Sequence, residues 1–364
     1  MNQTGKISAG QLFTLAFLTR VIMMLTVDSR VAGGKNLQDL TLSALCYLGL
    51  NLVLILPAWF LHRRYPELDL LEISGYAFGK AGGLIALLYA AYFLFINGYF
   101  VSNFQLFMQN EINTQVPVWV ISVALLVVAA YGAFLGLESI ARTSGFVLIL
   151  AACGMTFLLV TLNQELRAEN FTPLLYDGPG QTLQGTLLFL SRSSFYCVIP
   201  FLLPKTQGAL KCRYLFWNVG LCLFFIVMIV TVCGTLGPVA GLQNFPVYTM
   251  AALAQSGPFQ RLDAIYTGVW VMGLFLTTAL DLYLISLCIS FLWGKIAGRV
   301  AILAGAVLLV VGCNTFLASG EVVAAVFGIQ TILPATMITG VLLPIIILLA
   351  VRRKDKTTQK KEVR

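Results

Sequence analysis

The chain has 364 residues, of which 59% are hydrophobic and 10% are charged, and its formal net charge is +8 at pH 7. Because ordinary soluble domains carry about 25% charged residues, this composition excludes a water-soluble globular protein. It indicates a single transmembrane domain over residues 1–351, followed by a basic cytoplasmic tail at 352–364. We attribute the positive charge to membrane topology and to contact with the lipid bilayer, and we expect no nucleic-acid partner.

Apolar runs of about 20 residues, the length at which a helix crosses a bilayer, recur along the whole chain. The first run begins close to Lys6 and continues too far for the apolar core of a cleavable signal peptide. We therefore expect it to remain as a membrane span. The sequence predicts ten spans, at about 8–29, 39–61, 83–108, 117–136, 141–162, 184–203, 214–236, 264–293, 299–317 and 330–351.

The basic residues are distributed unequally between the two sides of the membrane. With ten spans, both termini lie on one side, which collects 17 of the 23 Lys and Arg residues, while the opposite side collects 4. Lys and Arg accumulate in cytoplasmic loops. Both termini are therefore expected in the cytoplasm.

Ten spans divide into two groups of five, at about 7–162 and 175–351. Because five is odd, the second group runs in the opposite direction, as in the inverted repeats of many secondary transporters. In such proteins the first helix of each repeat is broken near the bilayer midplane. The first span has polar residues at Thr19-Arg20 and at 26–29, and the sixth has them at 191–194, before Pro200. We predict an all-α membrane fold with a 5+5 inverted repeat and broken first and sixth helices.

Two arginines occupy the middle of membrane-length apolar runs, Arg20 in the first span and Arg192 in the sixth. A charge at that depth disfavours insertion by about 2.5 to 3.5 kcal/mol, so each side chain must face protein, water or a ligand. A guanidinium offers two parallel donors to a carboxylate, which favours a mid-membrane site for an anionic group. The alternative is an internal partner, namely Asp281, Asp28 or a backbone carbonyl, that makes each arginine fixed structure or a gate.

Asp281 lies inside the eighth predicted span, one turn after Thr277. A buried carboxylic acid is a candidate proton carrier, and the alternative is a structural partner for an arginine. The third predicted span adds two polar residues, Asn97 and Asn103. The expected ligand-binding or pathway residues are therefore Arg20, Asn97, Asn103, Ser191, Arg192, Ser193, Thr277 and Asp281.

Further polar patterns carry their own alternatives. Asn97 and Asn103 in the third span either line a cavity or form a polar seam between helices. Glu138 and Arg142 are four residues apart, which suits an ion pair on one helix, and we interpret them as a gating or structural pair. No pattern indicates a metal or cofactor site, because the eight cysteines are scattered without a CxxC pair.

Short segments spread along the chain follow the pattern of one protein family. The most specific is 136–142, with the sequence GLESIAR, and the others are 7–13, 63–66, 79–83, 170–175, 245–246 and 260–265. In these segments the chain resembles the spore-germination permeases, the B subunits of germinant receptors, within the amino acid–polyamine–organocation transporter superfamily. The first helix departs from the family pattern, because Thr19-Arg20 and the residues after it replace a glycine-containing break followed by a proline.

The resemblance implies a LeuT/APC-like fold of ten helices, with a small-molecule site between the first, third, sixth and eighth. It implies a subunit of a germinant receptor, located in the spore inner membrane, that binds an amino acid and signals to A-type and lipoprotein C-type partner subunits. A proton-coupled amino-acid transporter with the same fold is the alternative function. We expect no enzyme, since the chain has neither an HExxH zinc motif nor a nucleophile elbow.

Overall fold

A computed structural model of the protein describes residues 6–25, 39–112, 115–171, 178–208, 210–254 and 262–362. Within these residues the chain is almost entirely helical, and two short strands, β1 (Ile7–Ser8) and β2 (Thr206–Gln207), pair in parallel. The helices are α1 (Ala9–Leu25), α2 (Leu40–Leu54), α3 (Leu56–Arg64), α4 (Leu70–Phe78), α5 (Gly82–Phe107), α6 (Val118–Leu135), α7 (Leu137–Leu162), α8 (Pro179–Ser191), α9 (Phe195–Leu202), α10 (Lys211–Leu236), α11 (Pro246–Leu253), α12 (Asp263–Thr315), α13 (Gly320–Val326), α14 (Ile329–Met337) and α15 (Leu343–Glu362). One π-helical segment, Met108–Ile112, extends α5, and another, Ile338–Leu342, joins α14 to α15.

Eight helical stretches of the described residues are long and apolar enough to cross a membrane, so the prediction of an all-α membrane protein is confirmed. One of them, α12, has 53 residues and a non-helical backbone at Gly294, with φ of 86°. It therefore consists of two arms that meet where the sequence predicts the eighth span to end. The total of ten spans and their division into two repeats stay predictions.

Local sequence explains where several helices begin and end. Helix α4 begins with a capping box, in which the Asp69 carboxylate accepts hydrogen bonds from the backbone N–H groups of Leu71 and Glu72, and the Glu72 side chain accepts one from Asp69 N–H. Gly136 separates α6 from α7 with φ of 89°, a backbone conformation that glycine adopts without steric strain. The chain turns back at this residue, so α6 and α7 pack against each other.

The chain is non-helical between α8 and α9, at residues 192–194. The expected break of the sixth helix is therefore observed at Arg192, and Pro200 lies within α9. In the most apolar 18 residues of the α8–α9 stretch, 94% of the residues are buried, whereas in those of α7 only 28% are buried. The broken pair thus lies at the centre of the bundle, and α7 lies at its lipid-facing edge.

Helix α1 is continuous through Thr19 and Arg20, so these residues do not break the first helix as expected. The Thr19 hydroxyl donates to the Ala16 carbonyl within the helix, at 3.1 Å, and the Arg20 side chain finds its partner outside the helix. Both side chains therefore have hydrogen-bond acceptors while the helix stays intact. The other expected break, residues 26–29, and the candidate partner Asp28 lie outside the described residues.

We call the end of the bundle that carries β1 and the last turns of α15 the termini end. There β1 precedes α1 and pairs with β2, which follows α9. The Arg64 guanidinium forms an ion pair with the Asp355 carboxylate at 2.6 Å, and the hydroxyls of Tyr65 and Tyr76 donate to the same carboxylate at 2.7 and 3.1 Å. These contacts attach α15 to the link between α3 and α4.

Gly185 marks a close approach of α8 to α2, and it generates a stability prediction. A Cβ atom at this position would overlap the Ser43 hydroxyl and lie 2.6 Å from a Leu40 methyl group. Gly185→Val should therefore lower the free energy of unfolding by about 1 to 3 kcal/mol through overpacking, seen as a lower melting temperature of the purified protein. Gly145→Val is the control, because nothing lies within 4 Å of a Cβ there. Equal melting temperatures for the two variants would contradict the close approach of α8 to α2 at Gly185.

Candidate functional site

A cavity of about 650 Å³ lies between α5, α8, α13 and the segment before α11, and we call it the outer cavity. Its volume falls in the range of about 300 to 1,000 Å³ that is typical of small-molecule sites. The wall combines aromatic rings, carboxamides and two opposite charges: Tyr99, Phe189, Phe245 and Phe327; Asn103, Gln109, Asn110 and Asn244; and Arg192 and Glu321. Apolar surface with a few polar groups is the composition of a ligand pocket.

The outer cavity opens at the end of the bundle opposite to the termini end. Helix α5 begins beside α4, which contacts α15 at the termini end. The 26 residues of α5 extend for about 39 Å at 1.5 Å per residue, which is more than the thickness of the hydrocarbon core. Gln109 and Asn110 follow the last turn of α5 and are exposed. The cavity therefore reaches from this far end inward to the break between α8 and α9.

Arg192 lies at the inner end of the outer cavity. Its side chain is 5% exposed, and its guanidinium carbon lies 3.8 Å from the centre of the Tyr99 ring, which is a cation–π contact. A guanidinium stacked by its face on a ring still presents donors at its edge, and these suit a carboxylate. The helix break thus positions a cation where the cavity is deepest.

Arg20 is buried directly behind this segment. Its Nη1 donates to the backbone carbonyl of Arg192 at 2.6 Å, and its guanidinium carbon lies 5.8 Å from the centre of the Phe195 ring. Arg20 and Asp281 do not form an ion pair, since the ion pairs among the described residues join other side chains. Of the expected internal partners, the observed one is a backbone carbonyl, which ties α1 to the break in the sixth span.

A second cavity of about 10 Å³ lies between α1, α9 and α12, and we call it the inner cavity. Thr19, Ser194, Thr277 and Asp281 supply its polar wall, and the rest is apolar. The volume is about that of one water molecule. Asp281 is 2% exposed, and one of its carboxylate oxygens has no hydrogen-bond donor among the described residues. The inner cavity therefore brings a buried acid next to space for one water molecule.

Ser191 and Ser193, which the sequence assigns to the pathway, form hydrogen bonds inside the bundle. The Ser191 hydroxyl donates to the Leu188 carbonyl at 2.7 Å, and its own carbonyl accepts from the Thr336 hydroxyl at 3.0 Å. The Ser193 hydroxyl lies 2.8 Å from the Tyr47 hydroxyl. Neither serine lines either cavity, so their bonds hold the non-helical segment in place.

The two asparagines of the third predicted span have different environments. Asn97 is fully buried, and its carboxamide oxygen accepts from the Thr278 hydroxyl at 3.1 Å, so it forms a polar seam between α5 and α12. Asn103 lines the outer cavity, and its amide group donates to the Tyr99 carbonyl at 2.8 Å. Of the two, the structure brings only Asn103 to the cavity wall.

Glu138 and Arg142 form an ion pair at 2.5 Å in the first turns of α7. The two side chains are 41% and 71% exposed, respectively, and neither lines either cavity. Exposed pairs of this kind contribute about 0 to 1 kcal/mol. Their geometry fits a helix-surface pair.

Several wall residues were not singled out from the sequence, and Glu321 is the most informative. It follows Ser319, whose hydroxyl accepts from Val322 N–H and caps α13. A Ser before a Gly-Glu pair, between two apolar runs, is a helix-start signal that would have predicted α13. The signal does not show that this short helix folds against α5, because that contact depends on tertiary packing.

Comparison with known proteins identifies relatives by sequence. The model of a protein family described as "Spore germination protein" matches residues 6–318. The putative spore germination protein YfkT of Bacillus subtilis (strain 168) is 25% identical over 253 residues, which cover 68% of this chain and 70% of that protein. Spore germination protein YndE of the same organism is 26% identical over 248 residues, covering 65% and 66%.

A solved structure identifies the fold. A Na⁺-coupled sialic acid symporter in a substrate-bound outward-open state superimposes with a TM-score of 0.64 and 11% sequence identity. The superposition covers 92% of this chain and 79% of that chain. The expectation of a transporter-like membrane fold is therefore confirmed, while the low identity carries nothing about the ligand.

The seam between α5 and α12 generates a prediction that separates stability from ligand binding. Thr278→Val should leave the buried Asn97 oxygen without its donor and lower the free energy of unfolding by about 1 to 3 kcal/mol, measured as a lower melting temperature. Thr315→Val is the control, because that hydroxyl is exposed and donates only to Val311 in its own helix. If Thr278→Val abolished ligand binding without lowering the melting temperature, the assignment of Asn97 to the seam would be wrong.

Proposed function

We propose that this chain, which belongs to the spore germination protein family, is the membrane subunit of a spore germinant receptor. It binds a small-molecule germinant, an amino acid, in the outer cavity and signals its presence to partner subunits. The family and the fold are those of a transport or receptor-type membrane protein. The observation that carries the proposal is the outer cavity, which ends on Arg192 at the break between α8 and α9.

The wall of the outer cavity supports an amino acid as the ligand. Arg192 supplies donors for the carboxylate at the inner end, and carboxamides such as Asn103 offer both donors and acceptors. Aromatic rings, among them Tyr99 and Phe327, surround the space left for a side chain.

Signalling requires that the ligand bind two conformations with different affinity. Arg192 offers a route, because its side chain faces the outer cavity while its carbonyl accepts the hydrogen bond from Arg20. In this proposal, a carboxylate bound by the Arg192 side chain favours the conformation in which the Arg192 backbone, and with it this carbonyl, has shifted. The change then passes to α1, which packs against α7, α10 and α12.

The orientation of the receptor follows from the distribution of its charges. With both termini in the cytoplasm, the outer cavity faces the outer side of the spore inner membrane, where germinants arrive. The partners in this assignment are an A-type subunit and a lipoprotein C-type subunit. Support comes from the excess of Lys and Arg on the side of the termini.

Ligand-dependent thermal stabilisation tests the receptor proposal. At a hundredfold excess over its dissociation constant, a ligand that binds only the native state raises the free energy of unfolding by about 2.7 kcal/mol. We expect a rise in melting temperature with an L-amino acid and none with its D-enantiomer. Arg192→Gln should abolish the rise, and Arg192→Lys should weaken it, because lysine keeps the charge but loses the planar pair of donors.

The control is Arg299→Gln, an exposed arginine of the second arm of α12, which should leave the rise unchanged. The panel is measured on the chain alone and on the chain co-expressed with A-type and C-type subunits. If no amino acid stabilises either preparation, the proposed function is wrong.

The inner cavity favours a second candidate function, a proton-coupled amino-acid transporter. Asp281 is a buried acid with one carboxylate oxygen that lacks a donor among the described residues, and it lies beside space for one water molecule. Such an acid can take up and release a proton as the bundle changes conformation. It lies between α1 and α12, on the inner side of the Arg20 to Arg192 contact.

Uptake into sealed vesicles distinguishes the transporter from the receptor. A transporter accumulates a labelled amino acid when a proton gradient is imposed, and Asp281→Asn should remove this dependence, since asparagine cannot exchange a proton. Asp281→Asn vesicles without the gradient give the baseline. Gradient-independent accumulation by the unmodified chain would exclude proton coupling.

A further inference from the structure

The outer cavity holds two opposite charges, and they lie at different depths. Arg192 is at the inner end, stacked on Tyr99. Glu321, the acidic residue of the wall, is on α13 and exposed. The separation between these two groups determines which ligand can contact both.

The separation is estimated first along helix α5, which forms one wall of the cavity. The Arg192 guanidinium lies against Tyr99, and Gly320, the neighbour of Glu321, lies beside Leu106, whose methyl carbons are 3.9 Å from a Cβ built on that glycine. Tyr99 and Leu106 are seven residues apart on α5, which corresponds to about 10 Å at 1.5 Å per residue.

Helix α13 gives the same separation from the opposite wall. Phe327, which directly follows its last residue, contacts the Tyr99 ring with centroids 5.7 Å apart and the Phe95 ring with centroids 4.9 Å apart. Gly320, at its beginning, lies beside Leu106. The six residues from Glu321 to Phe327 correspond to about 9 Å. Along both helices, the backbone of Glu321 therefore lies about 9 to 10 Å farther out than the Tyr99 ring that contacts the Arg192 guanidinium.

We infer that the outer cavity selects an amino acid with a cationic group at the far end of its side chain, bound by Arg192 through the carboxylate and by Glu321 through the distal cation. The α-carboxylate and α-ammonium of any amino acid are about 3 Å apart, whereas the carboxylate and side-chain ammonium of extended lysine are about 7 Å apart. Adding a charge-assisted hydrogen bond of about 2.8 Å at each end gives reaches of about 9 Å and 13 Å. The spacing of about 9 to 10 Å along the two helices is a lower bound on the distance between the charged groups, because any sideways offset adds to it. The longer reach exceeds this spacing by about 3 Å, whereas the shorter reach at most equals it and leaves nothing for a sideways offset. The inference rests on the proposed function and names the substrate class of the same cavity.

Titration of the purified protein with L-lysine and L-norleucine tests the inference, because norleucine has the same four-carbon side chain without the ammonium. The half-saturating concentration is read from the shift in melting temperature. We expect lysine to bind about threefold to fivefold more tightly, the size of one partly exposed ion pair, and the difference to shrink at high salt. A third probe, 6-aminohexanoate, carries both charges at a similar spacing without the α-ammonium, and it should outbind hexanoate by a similar factor.

Glu321→Gln should remove the preference for lysine while norleucine binds as before. Glu165→Gln is the matched control, because Glu165 is an exposed acid that does not line the cavity, and it should keep the preference. Equal affinity for lysine and norleucine, with both shifts lost in Arg192→Gln, would overturn the inference and leave the proposed function standing. Absence of a shift with every amino acid, also in the presence of the partner subunits, would overturn both.

Discussion

A break in a helix at mid-membrane is possible only where its backbone groups find partners, because the hydrocarbon core offers none. The segment around the break between α8 and α9 is held by contacts from three directions, two of which supply donors to its backbone carbonyls. Arg20 on α1 donates to the Arg192 carbonyl, Thr336 on α14 donates to the Ser191 carbonyl, and Tyr47 on α2 contacts the Ser193 hydroxyl. The hydrogen bonds of this one segment therefore constrain how the surrounding helices α1, α2 and α14 are arranged.

The same segment separates the two cavities. On its outer side the Arg192 side chain faces a space large enough for a small molecule, and on its inner side Asp281 faces a space for about one water molecule. The Arg20 to Arg192 contact lies between them. A ligand that changes the position of Arg192 thus acts on the contact that separates the outer cavity from the inner one. A receptor would pass this movement to its partner subunits, whereas a transporter would open the inner cavity, and the fold serves both.

Sequence patterns predict the parts of the site that are local. The polar residues around Arg192 and the following Pro200 predict the break, and the depth of Arg20 in an apolar run predicts a buried charge with a specific partner. Sequence patterns do not predict the contacts that join residues far apart in the chain. The acceptor of the Arg20 side chain is a carbonyl far along the chain, and the contribution of Glu321 depends on how α13 packs against α5. Asn97 and Asn103 look equivalent in sequence. Their neighbours in the folded protein differ, because Asn97 contacts α12 and Asn103 lines the outer cavity.

The central claim, that an amino acid binds in a cavity open on the side opposite to the termini, is tested most directly by labelling Asn103→Cys in sealed vesicles of known orientation. The probe is a membrane-impermeant maleimide, and the unmodified chain, whose Cys46 and Cys153 are exposed, gives the background. The account predicts labelling from the side opposite to the cytoplasmic termini, slowed by saturating L-lysine. Labelling only from the side of the termini, or at a rate that no amino acid changes, would contradict it.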